Sequence, residues 1–116
     1  MRPGLLQPNE LEQAILDRIA KDESWLQMPA AGLHVLSREF TGVGGYTKFL
    51  CDLPESANDP HPGLKPEIRL PKVPSGMGAV LWCRANQPSC LEVYTYGDEL
   101  WDGTYEGFYL DESTGV

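Results

Sequence analysis

One amphipathic helix, with no second helix to pack against, is the feature that most constrains this chain. Asn9-Glu10-Leu11-Glu12 reads as an N-cap with an acid at the third helical position, a capping-box variant. Leu11, Ile15, Leu16 and Ile19 follow at helical spacing, while Asp17, Arg18, Lys21 and Asp22 lie off that stripe. The pattern predicts a helix from Glu10 to Lys21, with an extension to Trp25 and Leu26 left open and Pro29 and Gly32 as its end. A helical stripe must be buried, and the rest of the chain offers only strand patterns to bury it. The expected fold is therefore α+β: an N-terminal helix packed on an antiparallel sheet of four to five strands made of two hairpins. With no internal repeat and no linker, residues 1–116 are expected to form one domain.

Leu33–Thr41 and Tyr46–Leu53 are β-rich runs on either side of Gly42-Val43-Gly44-Gly45, whose glycines supply a tight connection. Placing Thr41 opposite Tyr46 sets Glu39 against Lys48, an opposite-charge pair. Leu36, Phe40, Phe49, Cys51 and Leu53 then share the apolar face, with Arg38 as its misfit, snorkelling at the sheet edge. Met77–Ala85 and Cys90–Tyr96 form a second hairpin across Asn86-Gln87-Pro88-Ser89, with Ala85 facing Cys90. Trp82 then faces Val93, Leu81 faces Tyr94 and Cys83 faces Glu92. Both faces carry apolar residues, so these strands are expected at the centre of the sheet.

Between the hairpins, Pro54–Gly76 holds six prolines, which deny backbone donors and forbid helix. Only Glu67–Leu70 reads as a short edge strand there. Tyr105–Leu110 reads as a last strand or a short helix.

The net charge of −8 argues against nucleic acid, which needs a basic footprint, and against anionic membranes. No apolar run approaches the length of a membrane span, and Met1–Gln7 lacks the apolar core of a signal peptide. Three cysteines, Cys51, Cys83 and Cys90, do not make a disulfide framework. The expectation is a cytoplasmic protein without cofactor.

No catalytic or metal signature stands out. His34, His61 and the cysteines lack metal-ligand spacing, and Cys83 and Cys90 are expected on one hairpin face in diagonal positions. Cys51 beside His34 is conceivable as a nucleophile, but an apolar row raises a thiol's pKa. The glycine run at Gly42 lacks the lysine and helix of a phosphate loop. Asp98, Glu99 and Asp102 suit an acid/base pair or a divalent site, yet carboxylates in a Gly-bounded loop are more often solvated turn residues.

Glu92–Glu112 carries seven carboxylates, six of the chain's eleven aromatics, and no Lys or Arg. Tyr94 and Tyr96 fall on one strand face and read as core residues. Asp98, Glu99, Trp101, Asp102 and Tyr105 then form the candidate partner-binding surface, with an exposed Trp101 as its anchor.

Four blocks in order, LEQAILDRIAKDESWL, SREFTGVGGYTKF, MGAVLW and LEVYTYGDELW, cover about two fifths of the chain. They resemble a family of small acidic bacterial proteins of uncharacterised function, which shows a helix, a TGVG-aromatic hairpin and a closing LE-x-aromatic-TYG-acid block. The chain departs from that pattern at Gly45 and in its long proline loop. The resemblance brings no catalytic role, and its functional analogy is to immunity proteins that neutralise toxins. The leading expectation is thus a non-enzymatic module binding a basic protein partner. One alternative is a ligand or catalytic pocket between helix and sheet, lined by His34, Arg38, Glu92 and Tyr94. Another is a homodimer subunit joined along an edge strand.

Overall fold

The computed structural model of the protein describes residues 6–30 and 32–112. The reading of Met1–Gln7 as lacking a leader rests largely on residues 1–5, which lie outside this range. One helix packs with a six-stranded antiparallel sheet, an α+β fold.

The helix, α1, spans Glu10–Asp22 and begins as the sequence directs. The Glu12 N–H donates to Asn9 Oδ1 at 2.8 Å, and the Asn9 N–H donates back to Glu12 Oε1 at 2.8 Å. This reciprocal pair satisfies two donors that the first turn would otherwise leave open. The helix stops at Asp22 because Glu23 turns extended, although its N–H still reaches the Ile19 carbonyl. Leu11, Ile15, Leu16 and Ile19 are all buried in the core that α1 shares with the sheet.

The strands are β1 (Val35–Phe40), β2 (Gly44–Phe49), β3 (Glu67–Leu70), β4 (Val73–Arg84), β5 (Gln87–Thr95) and β6 (Tyr109–Asp111). Their order across the sheet is β1-β2-β5-β4-β3-β6. The long β4 and β5 occupy the centre, as their two-faced apolar pattern predicts. β3 is not an edge strand, because the three residues of β6 cover its outer side. The prolines do not keep residues 62–64 off the sheet. The Leu64 N–H donates to the Ala79 carbonyl, and the Leu81 N–H to the Pro62 carbonyl, each at 2.9 Å. The long connection therefore crosses the sheet at the β4–β5 turn and then runs along β4 into β3.

Both hairpins differ from the expected register. In the first, Glu39 faces Tyr46 and Ser37 faces Lys48, so the expected Glu39–Lys48 pair does not form. An even slip of two residues keeps Arg38 and Phe49 on one face. A bulge between Val35 and Ser37 then turns Val35 into the core and leaves Leu36 exposed.

In the second hairpin the turn is Ala85-Asn86, with φ of 47° and 68°, rather than Asn86–Ser89. Two left-handed residues in a row are what a two-residue hairpin turn demands. Pro88 lies inside β5 opposite Cys83, at a bulge that tolerates its missing donor. Trp82 consequently faces Cys90, Val80 faces Glu92 and Gly78 faces Tyr94. The slip is three residues, an odd number, so it exchanges one strand's faces relative to the other. Met77, Ala79, Leu81, Cys83, Leu91 and Val93 point into the core with α1. Trp82, Cys90, Glu92, Tyr94 and Tyr96 lie on the opposite, helix-free face.

Candidate functional site

The helix-free face is built from the middle strands. β2 contributes Tyr46 and Lys48, β5 contributes Cys90, Glu92 and Tyr94 with Tyr96 just past its end, and β4 contributes Gly78, Val80, Trp82 and Arg84. Antiparallel sheets commonly leave one face wet, but that face is then usually polar. Here Tyr46 is 37% exposed, Tyr96 38% and Trp82 39%.

Glu92 sits among them, directly opposite Tyr46 on one side and Val80 on the other. The Tyr46 hydroxyl donates to Glu92 Oε2 and the Trp82 indole N–H to Glu92 Oε1, both at a long 3.4 Å. The carboxylate's charge, with smaller help from burial, pushes the Tyr46 hydroxyl up from its ordinary pKa. Among the described residues, no Lys or Arg forms an ion pair with Glu92.

Two further contacts shape the surface. His61, from the proline connection, packs on Trp82 with ring centroids 4.2 Å apart. Tyr94 and Tyr96 meet edge to face at 5.8 Å. A Cβ at Gly78 would lie 2.7 Å from both tyrosine hydroxyl oxygens, so the missing side chain is what lets the two rings lie over β4. Alongside, an open cleft of about 610 Å³ is lined by Glu55, Asp59, His61, Trp82, Arg84 and Cys90 among others.

The inner face holds a carboxylate of another kind. Glu12 is 5% exposed, and it accepts from Arg38 Nη2 at 2.7 Å, Arg38 Nε at 2.8 Å and the Thr47 hydroxyl at 2.7 Å. With the Asn9 N–H, four donors converge on its two oxygens. Burial pushes the Glu12 pKa upward, but the Arg38 fork, Thr47 and Asn9 together outweigh it and hold the carboxyl below its ordinary value. Arg38 is therefore not a snorkelling misfit. It crosses to the helix and braces the Glu12 carboxylate from 26 residues away.

The residues expected to line a pocket do not converge. Arg38 lies beneath α1, Glu92 and Tyr94 lie on the opposite face, and His34 precedes β1. Around Arg38 and Glu12 the free space is about 20 Å³, room for about one water.

The segment Asp98–Tyr105 also differs from expectation. Trp101 is 8% exposed, its indole N–H donates to the Thr104 carbonyl at 2.8 Å, and Phe40 packs edge-on at 5.6 Å. It is a core residue, not an exposed anchor. Tyr105 is half-buried against Phe108. Glu99 accepts the Ser75 N–H at 2.6 Å, while Asp102 accepts the Thr104 N–H and hydroxyl. Those Thr104 bonds hold the Asp102 carboxyl below its usual pKa. Asp98 remains exposed, and so does Leu100, at 79%, beside an open hollow of about 550 Å³. The loop is strapped to the sheet and keeps one apolar side chain outside.

Burial raises the pKa of the Cys83 and Cys90 thiols. Burial, with the Asp59 charge, pushes Cys83 up to about 11. Cys83 faces the core and Cys90 the open face, so they do not share a face as expected. Among the described residues, no group of three or more His, Cys, Asp or Glu side chains is placed to hold a metal ion.

Tyr46, Trp82 and His61 escaped the sequence reading. The signal that could have found Trp82 is the Ala85-Asn86 turn, because a two-residue loop there puts Trp82 opposite Cys90 and turns it away from Val93. No protein-family model, curated protein or solved structure matches this chain. Among the described residues no helix is long and apolar enough to cross a membrane.

Proposed function

We propose that this protein is a non-enzymatic binding module that docks a basic protein partner on the helix-free face of its sheet. The observation that carries the reading is the pair of aromatics Tyr46 and Trp82, each more than a third exposed, that flank the Glu92 carboxylate, with Tyr96 exposed on the same face. Aromatic side chains on a rigid sheet supply contact area at little entropic cost, which is why they dominate binding hot spots. The net charge of −8 steers a cationic partner toward the molecule and makes association salt-sensitive. Neutralising a toxin is one concrete form of this activity, in keeping with the resemblance to small acidic bacterial proteins.

The test is affinity capture from a lysate of the source organism at low salt, run in parallel with three forms of the protein. These are the natural chain, an outer-face variant (Trp82→Ser with Tyr96→Ser), and a loop variant (Leu100→Ser). The expected result is a basic protein held by the natural chain and the loop variant, lost by the outer-face variant, and released at about 0.5 M salt. Retention by the outer-face variant, or loss only in the loop variant, would sink the proposal. A dimer in light scattering that dissociates in the outer-face variant would replace the basic partner with a second copy of this chain.

A further inference from the structure

Among the described residues, Glu92 sits between two aromatic rings with neither a cation nor a short hydrogen bond. Its two contacts are both 3.4 Å long, one to each oxygen. Each oxygen therefore keeps acceptor capacity on its open side. The flanking groups are aromatic: Tyr46 directly across one strand gap, and Trp82 on the diagonal across the other. Those distances are roughly 5 Å and 7–8 Å, the reach of one planar cation. Lys48 lies on the same face but opposite Cys90, two positions along, and makes no ion pair with Glu92.

We infer that Glu92, Tyr46 and Trp82 form an acceptor site for an arginine side chain of the partner. This inference rests on the docking reading above and specifies its central contact. A guanidinium offers a planar fork that matches both carboxylate oxygens, and its faces stack on indole and phenol rings. An ammonium would satisfy the charge but neither the fork nor the stacking geometry. Citrulline has nearly the same shape as arginine and carries no charge. Tyr94 and Tyr96 extend the apolar floor next to this site, so the residues neighbouring the arginine in the partner have a surface to cover.

The experiment is a titration of the isotope-labelled protein, followed at the Trp82 indole N–H resonance, which is assigned by its loss in Trp82→Phe. The probes are N-acetyl-arginine amide, N-acetyl-lysine amide and N-acetyl-citrulline amide. Arginine should give a saturating shift with half-saturation on the order of 10 mM, as for a single charged contact. Lysine should bind at least about fivefold more weakly, and citrulline should not saturate. Glu92→Gln should abolish the arginine shift, and Glu10→Gln, which removes an equal charge from α1 on the opposite face of the sheet, should leave it unchanged. No saturation with arginine, equal binding of citrulline, or equal loss in both variants would overturn the inference. If that happens while capture still fails in the outer-face variant, the docking reading stands and only the arginine contact is lost.

Discussion

Glu12 and Glu92 sit on opposite faces of one sheet and show two fates of the same side chain. Glu12 is buried, with four donors at 2.7–2.8 Å and a guanidinium fork closing over it. Glu92 is half-exposed, with two donors at 3.4 Å, and no lysine or arginine among the described residues pairs with it. A carboxylate that is fully satisfied fixes a structure, joining the start of α1 to the β1–β2 hairpin. A carboxylate set among aromatic rings and held loosely contributes little to folding and has capacity left for another molecule. The two faces therefore divide the labour: the inner one holds the fold, and the outer one is proposed to meet the partner.

The comparison breaks most visibly at Arg38. Arg38→Met leaves a buried carboxylate with two of its four donors, which should cost about 3 kcal/mol. For a chain of this length the melting temperature should fall by on the order of 10 °C. A loss under about 0.5 kcal/mol in urea unfolding would mean that Glu12 is not the structural member of the pair.

The pH dependence sharpens the same point. The Glu12 pKa is lower in the folded protein than in the unfolded chain, so the unfolded state binds the proton first as pH falls. Its contribution is fully present above the ordinary value of 4.5 and is lost as pH drops through the folded value. Stability measured from pH 6 to about pH 2 should decline below 4.5 in the natural chain. The decline should be shallower in Glu12→Gln.

Two glycines, both opposite Tyr94, test the outer face without charge. At Gly44 an added Cβ would collide with the Val93 carbonyl oxygen, which belongs to the β2–β5 ladder and has no room to retreat. Gly44→Ala should cost about 2 kcal/mol or more in denaturant unfolding. At Gly78 the Cβ would meet only the ends of two tyrosines, which can swing outward. Gly78→Ala should cost about 1 kcal/mol or less, yet weaken capture of the partner by re-aiming Tyr94 and Tyr96. Equal stability costs at the two positions would remove the distinction between a fixed backbone obstacle and side-chain ends that can move.

The smallest stability effect is expected at Glu92 itself. Glu92→Gln should change the unfolding free energy by no more than about 0.5 kcal/mol, while partner binding falls. A large loss of stability would make Glu92 a second structural carboxylate.

Much of the framework was legible in the sequence. The capping box, the apolar stripe of α1 and the central position of β4 and β5 follow from residue spacing alone. The faces of β4 and β5 did not, because they depend on one turn. Pro88 reads as a turn residue but sits at a bulge within β5, and Ala85 is not a residue that announces a left-handed turn. Misplacing that turn by an odd number exchanged the faces, hiding Trp82 and treating Tyr94 and Tyr96 as core. The Arg38–Glu12 contact was beyond reach for a related reason. Arg38 stood out as a misfit, but its partner is on the helix, and no strand pattern says which helical residue lies over it. Trp101 misled through its acidic surroundings, since Asp102 bonds within the loop, Glu99 bonds to β4 and the indole packs against Phe40.

The central claim, that the partner covers the helix-free face, is tested most directly by hydroxyl-radical footprinting of the protein alone and with its captured partner. Oxidation should fall at Tyr46, Trp82 and Tyr96 in the complex and stay unchanged at Leu100. Protection at Leu100 with Trp82 still open to oxidation would contradict the account.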